Sequence, residues 1–93
     1  MLVPNACYRC VDEDGRERWV SICVATDDEW RSLSDVIGDR ALFRSELFEL
    51  PGRMAARDEI DMVVSSWMAD KRGDQVAALL QSRGVASAVV LDV

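Results

Sequence analysis

The chain has 93 residues, 49% hydrophobic and 30% charged, with 17 acidic against 11 basic side chains and a formal net charge of -6. That length supports one compact domain, residues 1–93, and leaves no room for a second. The acidic balance, without a long basic run, excludes the phosphate-neutralising surface that a nucleic-acid partner requires.

Residues Cys7 to Val11 are compatible with a strand, and Asp12-Glu13-Asp14-Gly15 supplies a turn, so a β-hairpin follows. From Arg18 to Val24 the alternation separates Val20, Ile22 and Val24 from Trp19, Ser21 and Cys23, giving one apolar and one mixed face. Thr26-Asp27-Asp28-Glu29 reads as a capping box, in which Glu29 reaches back to the Thr26 amide, so a helix starts at Asp27. Trp30, Leu33, Val36 and Ile37 share its inner face, and Gly38 can stop it in a left-handed cap.

Between Asp39 and Gly52 the pattern weakens, and Pro51-Gly52 reads as an interruption after a short helix and loop. Ile60, Val63, Val64, Trp67 and Met68 then mark a longer helix, starting at Arg53 or Arg57 and ending near Ala69. A last helix opens at Asp74 with Val76, Ala77, Leu79 and Leu80 inward and stops at Gly84. Val85 to Leu91 reads as a terminal strand that joins the hairpin. The expected class is α+β: a small three-stranded sheet, hairpin plus C-terminal strand, packed with three main helices.

The chemistry-bearing residues carry mostly structural readings. Cys7, Cys10 and Cys23 form an odd set, which fits a reducing compartment, and with no histidine they cannot complete a four-ligand zinc site. The acidic groups at 12–14 and 27–29 sit at a turn and a helix start, where carboxylates are favoured. The serines lack a histidine base, and the glycines assemble neither a P-loop nor a dinucleotide fingerprint. Trp19, Trp30 and Trp67 suggest one aromatic cluster between sheet and helices. Met1-Leu2-Val3-Pro4 has neither the basic start nor the apolar core of a secretion signal, and no stretch approaches the roughly 20 apolar residues of a spanning helix. The chain reads as cytoplasmic, with no membrane partner.

The order Tyr8-Arg9-Cys10, Asp14-Gly15, Arg18-Trp19, Thr26-Asp27-x-x-Trp30, Arg57-Asp58-Glu59-Ile60, Trp67 and Gly84-Val85 resembles the small domain of family III CoA-transferases, the group of carnitine dehydratases and acyl-CoA racemases. The resemblance spans nearly the whole chain. It implies a two-domain plan in which a Rossmann-like large domain holds the CoA nucleotide and the catalytic aspartate, while the small domain closes over the acyl group. No residue of this chain corresponds to that aspartate. The racemase branch places a glutamate where this chain has Thr26, which favours transferase ancestry. The prolines usual after Gly-Val are replaced by Ala86-Ser87-Ala88.

The resemblance therefore implies a CoA thioester as substrate but no cofactor bound by this chain alone, and it implies no catalytic or metal-binding residue here. Thr26 and Asp27 are the substrate-cleft candidates. The expected role is a non-catalytic binding or accessory module. The alternative is the acyl-side component of a split transferase. Expected partners are a second copy of the chain or a large-domain CoA-transferase polypeptide.

Overall fold

The computed structural model describes residues 2–90. Strands β1 (Asn5–Val11), β2 (Glu17–Cys23) and β3 (Ala86–Val90) form one antiparallel sheet in the order β1-β2-β3. Tyr8 lies opposite Val20 and Arg9 opposite Trp19, while Val20 lies opposite Val89 on the other side. The terminal strand thus completes the hairpin, as the β-branched run predicts; the expected Leu91 lies outside the described residues.

Four helices follow: α1 (Asp27–Ile37), α2 (Leu50–Ala55), α3 (Arg57–Met68) and α4 (Gly73–Ser82), with single 3-10 turns at Arg40–Leu42 and Ser45–Phe48. The class is α+β, and α1, α3 and α4 are its three main helices. Strand periodicity puts Tyr8, Cys10, Val20 and Ile22 on one buried face. Helical periodicity supplies the opposing layer: Trp30, Leu33 and Ile37 from α1, Ile60, Val64 and Met68 from α3, and Val76, Ala77 and Leu80 from α4. Each such aliphatic side chain contributes roughly 1.5–3 kcal/mol on burial, so the sheet is held mainly by what covers this one face.

Two expectations need correction. Pro51-Gly52 does not interrupt a helix but opens one. Pro51 lies in the first turn of α2, where backbone amides have no intrahelical acceptor, so its missing N–H costs nothing. Gly52 permits close backbone packing, since a Cβ there would collide with the Glu46 carbonyl. Leu79 is not inward but 46% exposed. Gly73, Val76, Ala77 and Leu80 define the buried stripe of α4, and Leu79 falls about 110° from its centre.

Candidate functional site

The two cleft candidates meet at one corner, the N-terminus of α1. Thr26 is the N-cap: its hydroxyl accepts from the Glu29 amide at 3.1 Å and donates to the Glu29 carboxylate at 3.2 Å. The reciprocal bond differs from the sequence expectation, because Glu29 Oε1 accepts from the Ala25 amide at 3.0 Å rather than from Thr26. The extended backbone of Thr26, at φ -131°, turns the preceding amide toward the glutamate instead.

Asp27, on the same corner, accepts from Arg53 Nη2 at 2.8 Å. The Arg53 side chain is only 2% exposed, and its Nε and Nη1 donate to the Val3 and Leu47 carbonyls at 3.1 and 3.0 Å. Its guanidinium lies 5.6 Å from the Trp30 ring centroid. The planar fork thereby ties the entry segment, the second 3-10 turn and α1 into one node, a geometry a lysine could not reproduce. Sequence reading missed Arg53. The available signal was an acidic group at a helix start needing a partner, but local pattern gives no distance between residues 27 and 53.

The other candidate groups are brought to separate places. Cys7 and Cys10 stand on opposite faces of β1, Cys7 exposed and Cys10 buried, so they form neither a redox pair nor a joint metal ligand. Burial pushes the Cys10 thiol up, more than the Gly73 amide beside it pulls the value down. Its sulfur occupies the space that a Cβ at residue 73 would need. Tyr8, also buried, donates to Asp61 Oδ1 at 2.7 Å; burial, then this bond, raise the phenol well above its usual range. Among the described residues no group of three or more His, Cys, Asp or Glu side chains is placed to hold a metal ion.

The three tryptophans do not share a cluster. Trp30 is fully enclosed among the helices; Trp19 is half-buried on the sheet face turned away from them. Trp67 is half-buried with Lys71 Nζ 5.3 Å from its ring centroid.

Two clefts flank the sheet. One, about 390 Å³, lies between the hairpin turn and the start of α4, lined by Asp12, Glu13, Asp14 and Asp74 with Arg18. Two of its carboxylates, Asp12 and Asp74, are engaged. Asp12 accepts from the Arg16 and Asp14 amides, each at 2.9 Å, and pairs with Arg18 at 3.0 Å; the Arg16 bond is the main cause holding it below the usual carboxylate range. Asp74 is likewise lowered, by the side-chain bond from Arg72 at 2.8 Å. Asp12 and Asp74 thus sit in turn and ion-pair geometries that lower both, whereas acid–base work needs two carboxyls tuned apart.

The second cleft, about 460 Å³, runs beside β1 and is lined by Cys7, Tyr8, Arg9 and Trp19 of the sheet, Ser65 and Ser66 of α3, and Ala69 just past its end. It contains no carboxylate, which sets it apart on an acidic chain. It offers an apolar wall, hydroxyls and one guanidinium, a surface suited to contact rather than to bond-making.

The chain matches the family model described as CoA-transferase family III over residues 1–93. It is similar to the probable CoA-transferase Rv1866 of Mycobacterium tuberculosis (strain ATCC 25618 / H37Rv), with 34% identity over 84 residues. The match takes in 89% of this chain but 10% of that protein, so the chain spans one tenth of its relative's length. No solved structure matches.

Proposed function

Because this chain belongs to CoA-transferase family III, we propose that it works as a non-catalytic module of that family, presenting a surface to a partner while transfer chemistry resides elsewhere. The observation that carries this reading is the disposition of its reactive groups. Asp27 serves Arg53, Glu29 serves the cap, Asp61 serves Tyr8, Asp12 serves the turn, and Cys10 is sealed in the core. Among the described residues no nucleophile is brought beside a base with room for a substrate between them, which covalent acyl transfer requires. Thr26 and Asp27 remain our candidates for the wall facing an acyl group, since both are exposed on a corner braced from behind by Arg53.

A second reading has its own support. The matched stretch is one tenth of the M. tuberculosis relative, as expected of a piece that completes a much larger body. In this reading the chain is the acyl-side component of a split transferase, and CoA is held by a large domain on another polypeptide. The partner is then that domain rather than a second copy of this chain.

One experiment addresses both. The purified chain is incubated with acyl-CoA donors and free carboxylates, alone and with a family III large domain from which the corresponding segment has been deleted. Exchange is followed by mass spectrometry of the thioesters. The module reading expects no exchange with the chain alone, and chain-dependent turnover overturns it. Restored transfer only in the mixture selects the split-enzyme reading.

A further inference from the structure

The cleft of about 460 Å³ beside β1 gathers polar and aromatic groups that the fold itself does not use. We infer that it is a binding site for a small aromatic carboxylate, with the ring stacked on Trp19, the carboxylate held by Arg9 and a ring hydroxyl within reach of Ser65 and Ser66. The cleft shares no residue with the Thr26–Asp27 corner, and the inference stands or falls independently of the functional reading.

The register brings ring and cation together. The Pro4 carbonyl accepts from the Val24 amide at 2.9 Å, so every second pair from there along β1 is hydrogen-bonded and the pairs between are not. Arg9 opposite Trp19 is one of the pairs between. Their Cα atoms therefore stand about 4.5 Å apart, the spacing at which facing side chains lie closest. Strand parity sends both side chains to the sheet face turned away from the helices.

Elsewhere in the molecule such groups are engaged with one another. Arg53 lies 5.6 Å from the Trp30 ring centroid, Lys71 5.3 Å from that of Trp67 and Arg31 5.6 Å from that of Phe48. Among the described residues Trp19 carries no such cation, and Arg9 makes no ion pair although the chain holds 17 acidic side chains. The serines repeat the contrast. Ser34 and Ser82 donate to carbonyls three residues back, at 3.0 and 2.6 Å. The Ser65 and Ser66 hydroxyls, on the wall of the cleft, bond to nothing among the described residues.

The lining sets the class of ligand. No carboxylate enters it, so an anion meets no like charge there. The planar guanidinium fork matches a carboxylate through two parallel hydrogen bonds, and an indole face takes a flat ring in an offset stack. An aliphatic acid would satisfy the guanidinium and leave the indole in water; an uncharged ring would do the reverse. The volume falls within the roughly 300–1,000 Å³ of small-molecule sites.

The test is titration of the isotope-labelled, reduced chain with para-hydroxybenzoate at neutral pH, followed by backbone amide and indole N–H chemical shifts. Saturable shifts centred on Arg9, Trp19, Ser65 and Ser66 are expected, with acetate and benzyl alcohol each binding about tenfold more weakly or worse. Arg9→Gln should weaken binding about tenfold or more by removing the charged pair, and Arg9→Lys, which keeps the charge without the fork, should recover only part. Cys7, exposed in the same cleft, supplies a second readout. The bound acid should slow its alkylation by iodoacetamide, read by peptide mass spectrometry, and leave that of Cys23 unchanged. Shifts that do not saturate, or that centre elsewhere, overturn the inference. So does equal binding of either control ligand, or undiminished binding to folded Arg9→Gln. Should that variant fail to fold, the control ligands and the Cys7 protection on the unaltered chain decide.

Discussion

The Arg53 corner and the β1 edge treat polar groups in opposite ways. At the corner, one enclosed guanidinium satisfies two carbonyls and a carboxylate and lies over Trp30. At the edge, the backbone groups of Asn5, Cys7 and Arg9 meet no partner among the described residues. Buried polar atoms must be paired within the protein, whereas exposed ones can wait for water or a partner. The contrast teaches that a substitution at the corner acts on folding, whereas one at the exposed edge leaves folding largely untouched, so the two regions are separable by mutation.

The largest effect belongs to Arg53→Ala, which strands the Val3 and Leu47 carbonyls and leaves Asp27 unpaired; about 3–5 kcal/mol should be lost, measured by urea unfolding. A loss below 1 kcal/mol would mean that water replaces the guanidinium and that the corner is no node. Gly52→Ala comes next, with about 2–3 kcal/mol lost because the new methyl meets the Glu46 backbone rather than a movable side chain. Thr26→Ala should cost about 1 kcal/mol through the lost cap, and Thr26→Ser should recover most of it in the same assay.

On the other side of the comparison, Arg9→Ser should change monomer stability by no more than about 0.5 kcal/mol, since Arg9 is exposed and makes no ion pair among the described residues. A larger loss would erase the distinction between the regions. The smallest effect concerns pH. The folded value of Asp12 is lowered, so its contribution is present above the ordinary carboxylate range and fades as pH falls through the lowered value. Thermal melts of Asp12→Asn should therefore differ from the unaltered chain at neutral pH and converge with it in strong acid.

Legibility in the sequence followed the range of the interaction. The hairpin, the cap at Thr26 and the terminal strand rest on neighbours two to four residues apart, and each lies where its pattern predicts, while of the two starts open to α3, Arg53 and Arg57, the structure has the second. Pro51-Gly52 was misleading because the same pair marks a loop or a helix start, and the choice depends on the Glu46 carbonyl packed against it. One tryptophan on a strand and one on each of two helices suggests a shared cluster, but strand parity sends Trp19 to the face opposite the core. At the candidate site, Thr26 and Asp27 were readable as a helix start; Arg53, their brace, was not, because its three acceptors come from separate segments.

The central place of β2 bears on how the chain assembles. Its first neighbour is a turn away, whereas its second, β3, follows all the helices of the described residues. The hairpin closes a short loop and the last strand a long one, and such distant closure is the slower step. During synthesis β2 therefore spends an interval as a bare edge, until Ala86–Val90 emerges to shield it.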